Sequence, residues 1–175
     1  LTVGGNWLDD DGYRMGEFTK RKRLNFGASY RSGNIKGLSY GVNGNFLQQS
    51  SGSVLIWRSF EQAYEPPVGD LTTTESSTNN IDPFITYRKG NNNHSLRTRF
   101  LHVKNDNSTN NKDNEQDNES SLFYADYQWQ KHLERLKIKI TSGATNEAVS
   151  STSPLFGGRN IRHNHAFYTQ LDKKW

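Results

Sequence analysis

The chain has 175 residues and a net charge of +4, with 22 basic and 18 acidic side chains. Aromatic residues make up 12% of the sequence although its mean hydropathy is low. Because disordered chains are poor in aromatics, this composition excludes disorder and indicates strands that are apolar on one face only. The absence of cysteine excludes a disulfide framework and thiol chemistry. The absence of a run of 18 apolar residues excludes a transmembrane helix.

The first part of the chain alternates apolar and polar residues with a period of two, which is typical of β-strands with one apolar face. Val3, Gly5 and Trp7 begin the pattern, so we expect the chain to start inside a truncated strand. Stronger alternation follows over 24–30 and 38–46. These segments predict three antiparallel strands in succession.

The rest of the chain continues the same pattern, most strongly in Leu122–Gln130 and Leu136–Thr141. Residues 96–100 also alternate, but Leu101 and Val103 break the phase, which predicts a β-bulge. The full set of predicted strands is about 1–8, 21–31, 38–48, 80–89, 95–105, 121–132, 136–145 and 164–174.

The connections between these strands alternate in length. Four long polar connections are predicted at about 8–20, 49–79, 105–120 and 145–163. Short turns are predicted at 32–37, 90–93 and 133–135. In an up-and-down sheet this places all long loops at one end, as in outer-membrane barrels with long external loops and short periplasmic turns. The sequence therefore predicts an all-β, antiparallel up-and-down transmembrane β-barrel of about eight strands.

Several stretches resemble the barrel of TonB-dependent outer-membrane receptors, especially those of Bacteroidetes. The stretch Trp7–Arg14 resembles the end of an early barrel strand, and Ile81–Arg88 followed by His94–Phe100 resembles a mid-barrel hairpin. Leu122–Gln130 and Ala166–Asp172 resemble two further strands. The ordered series spans nearly the whole chain, which we treat as one partial barrel domain, 1–175.

The resemblance implies active uptake of a scarce ligand, such as a siderophore, cobalamin, haem or glycan, across the bacterial outer membrane. A barrel of this family has about 22 strands, so the chain would supply about a third of one, and neither a plug domain nor a TonB-contacting segment is found in it. The implied partners are outer-membrane lipid, the plug and remaining strands, TonB through that plug, and a surface lipoprotein. The alternative is a complete eight-stranded barrel acting as an anchor or adhesin, for which the C-terminal Trp175 is an argument.

One apolar segment, Val54–Phe60, lies within a predicted external loop. It is either strand extension above the membrane or a ligand-contacting surface. In the second interpretation Trp57, Phe60 and Tyr64 stack on the ligand and Arg58 contacts an anionic group.

Two sets of side chains are predicted to line opposite faces of the barrel wall. The apolar phase of the strands is expected to face lipid through Phe26, Tyr30, Tyr40, Val42, Phe123, Tyr127, Trp129, Leu136, Ile138 and Ile140. The opposite phase is expected to form a basic wall on the lumen through Arg23, Arg31, Arg88, Arg97, Arg99, Lys137 and Lys139. Only Asp82 and Asp126 are clear inward acids, so we expect a plug domain to supply the missing negative charge; the alternative is a hydrated channel that attracts an anionic ligand.

Other site types find little support. Asp9–Gly12 resembles the start of a calcium loop, but Lys20 stands where an EF-hand needs glutamate. His163 and His165 share a strand face without a supporting acidic or sulfur ligand. No G-x-S-x-G motif is present, and the bases alternate along strands rather than forming a patch. We therefore expect no enzyme activity, cofactor, metal or nucleic-acid partner.

Overall fold

The computed structural model describes residues 1–54, 56–67, 69–110, 112–113 and 116–173. Within them the chain forms one antiparallel up-and-down sheet of eight long strands and a two-residue strand, with two one-turn 3-10 helices at Glu134–Leu136 and Pro154–Phe156. The strands are β1 (Thr2–Asp10), β2 (Phe18–Arg31), β3 (Leu38–Ser53), β4 (Thr72–Lys89), β5 (Asn92–Thr109), β6 (Lys112–Asp113), β7 (Asn118–Leu133), β8 (Ile138–Ser153) and β9 (Gly158–Lys173).

Each long strand pairs with its neighbour in sequence, and only β6 lies off this path, against β5. β1 and β9 are the two edges of the sheet and do not pair with each other, so the sheet is open. The prediction of an all-β, antiparallel up-and-down architecture is confirmed. Trp175, the residue that favoured a complete eight-stranded barrel in the sequence, lies outside the described residues.

The strand registers give the sheet an apolar face and a polar face, because residues opposite each other on paired strands point to the same side. Phe100, for example, pairs with Ile81 and with Phe123, while Arg97 pairs with Phe84 and with Asp126. Nine predicted lipid-face residues share the apolar face: Phe26, Tyr30, Tyr40, Val42, Phe123, Tyr127, Trp129, Ile138 and Ile140. The tenth, Leu136, lies instead in a 3-10 turn below the sheet.

Among the described residues, no second layer packs against the apolar face and no apolar side chain is buried. Phe100, Phe123 and Tyr127 are about 40–50% exposed, although they lie on interior strands of the sheet. These side chains form an apolar band across the half of the sheet next to the β2–β3, β4–β5 and β7–β8 turns. This half is called the turn-proximal half. A single layer with one uncovered apolar face is the central feature of this fold.

An aromatic row follows the apolar face close to the short turns. Tyr30 and Tyr40 pair across β2 and β3 with ring centroids 5.5 Å apart. His94 lies between Tyr87 and Tyr127, 6.4 and 6.2 Å from their ring centroids, and its Nδ1 shares a 2.8 Å hydrogen bond with the Tyr127 hydroxyl. The row crosses at least five strands.

The strands extend further toward the long loops than the sequence predicted. β4 begins at Thr72 rather than near 80, and β7 begins at Asn118 rather than near 121. The segment added to β4, Thr72–Asn80, is polar on both faces and has no apolar residue. Alternation of apolar and polar residues is therefore absent there, although the strands remain paired along this length. We call this part the loop-proximal half.

The predicted long connection over 145–163 is wrong. β8 runs on to Ser153 and β9 begins at Gly158, so only a 3-10 turn joins them. Left-handed Gly157 and Gly158, with φ of 78° and 91°, close this turn, a conformation that favours glycine. Small and hydroxyl-bearing residues on β8 allow the two strands to pair up to Ser153.

The β-bulge expected at Leu101 and Val103 is also wrong. β5 keeps one continuous register with β7 from Asn92 to Asn105. Leu101 and Val103 therefore point to the polar face, along with Arg97 and Arg99 before them.

A different irregularity lies between β4 and β5, where the ladder of paired residues skips Asp82 and Pro83. Proline has no amide hydrogen, so residue 83 gives no backbone donor to β5. Two side-chain contacts span this gap: the Thr98 hydroxyl donates to the Pro83 carbonyl at 3.2 Å, and Arg99 pairs with Asp82. The two strands are thus joined here by side chains where the backbone ladder is incomplete.

Candidate functional site

Two loops at the loop end of the sheet, 11–17 and 54–71, contact each other. The Met15 amide donates to the Tyr64 carbonyl at 2.9 Å. The Tyr13 and Tyr64 rings meet edge to face, with centroids 6.3 Å apart. Tyr13 and Met15, which the sequence did not single out, therefore join the predicted ligand-binding residue Tyr64 in one surface.

The predicted ligand-binding aromatics are open to solvent. Phe60 is 91% exposed, and Trp57 and Tyr64 are more than half exposed. Leu55, the second residue of the apolar segment, lies outside the described residues. Among the described residues, no ring contact joins Trp57 or Phe60 to the Tyr13–Tyr64 pair. The structure thus brings Tyr64 together with Tyr13, while Trp57 and Phe60 project separately.

Arg58, predicted as an anion contact, is paired within its own loop. Its Nη1 donates to Glu65 Oε2 at 2.9 Å, and its backbone amide donates to the Glu65 carbonyl at the same distance. Both side chains are 42% exposed. The guanidinium therefore fixes the loop and is already partly neutralised.

The facing loop has a similar internal pair. Arg14 donates from Nη2 to the Tyr13 hydroxyl at 3.0 Å, and its Nε lies 3.2 Å from Glu17 Oε1. The hydrogen bond to Tyr13, together with the Glu17 carboxylate, raises the pKa of Arg14 above its ordinary value. Both arginines of these loops are thus paired within their own loop, and the exposed Tyr13, Trp57, Phe60 and Tyr64 offer aromatic surface suited to stacking.

The polar face carries the predicted basic wall. Six of its seven members share this face: Arg23, Arg31, Arg88, Arg97, Arg99 and Lys139. Lys137 lies instead in the turn after Leu136, with a left-handed φ of 52°, so the strand alternation behind its assignment does not reach it. Arg21 and Arg162, not singled out from the sequence, also lie on this face.

Acids on the polar face pair with part of this wall. Arg99 donates to both oxygens of Asp82 at 2.8 Å, the bidentate geometry that favours a guanidinium–carboxylate pair. Asp126 lies opposite Arg97 in the register. Beyond the two acids expected from the sequence, the face also holds Asp10, Glu147 and Asp172.

Glu147 and Asp172 lie near the basic residues of β8 and β9 on the polar face. Glu147 Oε1 accepts from Arg162 at 3.0 Å and from Asn164 at 2.8 Å. Asp172 lies opposite Lys139 in the register. Glu147 was missed because the predicted strand ended at 145, whereas Asp172 lay within the predicted last strand and period-two counting there would have found it.

The uncompensated part of the wall lies on β2. Arg23 and Arg31 are exposed and have no hydrogen bond or ion pair among the described residues. The buried Nε of Arg21 likewise lacks a partner there. Arg88, on β4, donates to the Asn93 side chain at 3.1 Å and so has a neutral partner. Arg97 and Lys139 also lack a hydrogen bond or ion pair among the described residues, but each has an acid opposite it in the register, which Arg23 and Arg31 do not.

The acidic side chains near residue 10 that resemble a calcium loop make contacts within β1, β2 and the loop between them. Asp10 Oδ1 accepts from the Gly12 amide at 2.9 Å, and Asp9 lies 3.8 Å from Lys20 Nζ. His163 and His165 share the apolar face of the edge strand β9. In the described part of the chain, no three His, Cys, Asp or Glu side chains are grouped closely enough to hold a metal ion.

Comparison with known proteins adds no relative. No protein-family model matches the chain, and no curated protein matches it significantly. Over the described residues, no helix has the length and apolar character needed to cross a membrane.

Proposed function

We propose that this chain is part of the wall of an outer-membrane β-barrel, and that the barrel is a TonB-dependent receptor that takes up a scarce ligand. The observation that carries the proposal is the single-layered sheet with one apolar, uncovered face and one charged face. The membrane location follows from physical argument, while the TonB-dependent uptake rests on the sequence resemblance.

The uncovered apolar face is the strongest support for a membrane location. A sheet in a water-soluble domain buries its apolar face against a helix layer or a second sheet. Here no such layer exists among the described residues, and Phe100 and Phe123 remain exposed on interior strands. Lipid is a cover that satisfies this face without any further protein layer.

The layout of the apolar face matches the depth of a bilayer. A strand needs about 9–11 residues to cross the hydrocarbon core. The strands β3, β4 and β5 have 16, 18 and 18 residues, so each is long enough to cross it and to extend beyond it on the loop side. The apolar band fills the turn-proximal half and is followed by polar residues such as Lys22 and Lys104 on the same face. The aromatic row near the turns corresponds to the girdle that marks a membrane interface.

The open edges favour a larger barrel over a closed eight-stranded one. In a closed barrel β1 and β9 would pair, but they are the two free edges of this sheet. An eight-stranded barrel has room only for packed side chains inside, and unpaired charges are costly in such an interior. The free Arg23 and Arg31 are better accommodated in a wider barrel that holds water and an acidic plug.

The loop surface supports a receptor role. Tyr13, Trp57, Phe60 and Tyr64 are exposed at the end of the sheet that would lie outside the cell. Aromatic side chains combine a large apolar area with stacking geometry, which suits the capture of rings in a haem, cobalamin or glycan ligand. These loops would hold the ligand, while the basic residues of β2 would face the plug.

Cysteine labelling of the full-length protein in lipid vesicles tests the membrane assignment. Because this chain has no cysteine, single substitutions here add one defined thiol. Leu96 lies on the apolar face and Ser95, its neighbour, on the polar face. A charged maleimide should modify Ser95→Cys about tenfold faster than Leu96→Cys, because lipid excludes the reagent. Urea-unfolded protein serves as the reference for the intrinsic reactivity of the two thiols. If the two cysteines react at equal rates in vesicles as well as in urea, the lipid-facing assignment is rejected.

Uptake by cells tests the transport proposal separately. Cells with the full-length protein should accumulate a ferric hydroxamate, cyanocobalamin, haemin or a maltooligosaccharide above a deletion strain, and only with intact TonB. A correctly inserted barrel that takes up none of these would contradict the receptor proposal but not the barrel. Neutralising Arg23 and Arg31 should loosen the plug without changing ligand affinity. Loss of affinity with a seated plug would assign the basic strand to the ligand path.

A further inference from the structure

A groove crosses the apolar face at the boundary between the two halves of the sheet. It has a volume of about 570 Å³ and runs from β4 over β5, β7 and β8 to β9. Its apolar lining on this face consists of Ile81, Phe100, Phe123, Ala148 and Ile161. Its polar lining on this face includes His102, Ser121, Ser150, Arg159 and His163.

The groove exists because β8 carries small side chains between larger neighbours. Ala148 lies opposite Phe123 on one side and His163 on the other. Ser150, one step closer to the loops, lies between Ser121 and Ile161. The larger side chains of Phe123 and Ile161 therefore flank the small side chains of Ala148 and Ser150, which leaves an open trough between them.

The polar end of the groove carries positive charge without a carboxylate. Arg159 donates from Nε to Ser150 Oγ at 3.2 Å, and it has no ion pair among the described residues. No acidic residue lines the groove. The nearest carboxylate to His102 is that of Glu119, 3.9 Å from Nε2, outside the lining. The two terminal nitrogens of Arg159 are thus available to an anionic group.

We propose that this groove binds an amphiphile with a phosphate-containing, anionic headgroup. The headgroup lies against Arg159 at the loop-proximal end of the groove, and an acyl chain lies over Ala148, next to His163. The inference rests on the proposed function, since the apolar face must contact lipid for the groove to meet such a molecule. It goes further by naming one bound lipid class and the side chain that selects it.

Lipid retention measured by native mass spectrometry tests the proposal. The full-length protein is reconstituted in vesicles of equal parts phosphatidylcholine and phosphatidylglycerol with identical chains, then extracted in mild detergent. The native protein should retain phosphatidylglycerol preferentially, and added inorganic phosphate should not displace it. Arg159→Gln should reduce this preference about fivefold, the effect of one basic side chain at an anionic surface. Arg135→Gln, the same change in a turn at the opposite end, should leave it intact.

A second pair of variants tests the acyl-chain part of the groove. Ala148→Leu fills the trough and should reduce retention of both lipids, whereas Ala144→Leu, lower on the same strand and face, should not. A protein that fails to insert into vesicles would overturn the proposed function itself. An inserted protein that retains both lipids equally, loses phosphatidylglycerol to inorganic phosphate, or responds alike to Arg159→Gln and Arg135→Gln would overturn only the lipid site.

Discussion

The two halves of the sheet consist of the same strands but differ in what holds them. In β4 the turn-proximal segment Ile81–Lys89 alternates apolar and polar residues, whereas the loop-proximal segment Thr72–Asn80 is polar on both faces. The loop-proximal half is cross-linked by side chains of its polar face: Ser76 donates to Asn105 at 2.7 Å, and Asn105 donates to Asn118 at 2.8 Å. Thr74 and Asn107 make a parallel contact at 2.8 Å.

This difference between the halves shows that strand formation and the alternation of apolar and polar residues are separate properties. Strand formation depends on pairing with a neighbouring backbone, and both halves are paired throughout. Alternation instead records a difference in surroundings between the two faces. We therefore interpret the loop-proximal half as a strand region with water on both sides, and the turn-proximal half as one with water on one side only.

The largest expected effect comes from placing a charge on the apolar face. Ile85→Arg in the turn-proximal half should destabilise the protein folded in vesicles by about 2–4 kcal/mol, the cost of arginine facing the bilayer midplane. Ser77→Arg, on the same strand and face but in the loop-proximal half, should change stability by less than about 0.5 kcal/mol. Urea unfolding in vesicles measures both. Similar costs for the two substitutions would remove the distinction between the halves.

A smaller effect is expected from the ion pair on the polar face. Asp82→Asn and Arg99→Gln should each destabilise the protein by about 1 kcal/mol, because the bidentate pair is half exposed and partly screened. Arg31→Gln, which removes an unpaired base from the same face, should have no measurable cost. A double-mutant cycle in urea unfolding gives the coupling energy. A coupling near zero would mean that charges do not hold the turn-proximal half together.

The smallest effect is expected in the loop-proximal half. Ser76→Ala removes the hydrogen bond to Asn105 and should cost about 0.5–1 kcal/mol. Ser77→Ala, the adjacent residue on the other face, has no such partner among the described residues and serves as control. Hydrogen exchange at the amides of 72–76 should speed up only in Ser76→Ala. Unchanged exchange would show that the backbone ladder alone maintains this half.

Sequence reasoning predicted the features that depend on unequal faces. Leu122–Gln130 and Leu38–Phe46 alternate strongly, and both lie in strands with the predicted apolar face. The turn ends were also predicted well, because glycine marks positions such as Gly90, where φ is positive.

The parts that were missed depend on pairing between distant segments. Residues 146–153 are mostly small or polar and do not alternate, so no local pattern distinguishes a strand from a loop; their partner on β9 decides the outcome. The same applies to the candidate site, where Tyr13 meets Tyr64 only because two loops fold together. The pairing of Arg58 with Glu65, seven residues away, likewise required the loop conformation.

The gap at Pro83 has a genetic consequence. Since Pro83 gives no amide hydrogen to β5, the Asp82–Arg99 pair joins the two strands where the ladder lacks a bond. Pro83→Ala restores that donor and should therefore suppress the defect of Arg99→Gln. The cost of losing the arginine therefore depends on whether the proline is present, so the two substitutions are expected to be non-additive when they occur in one protein.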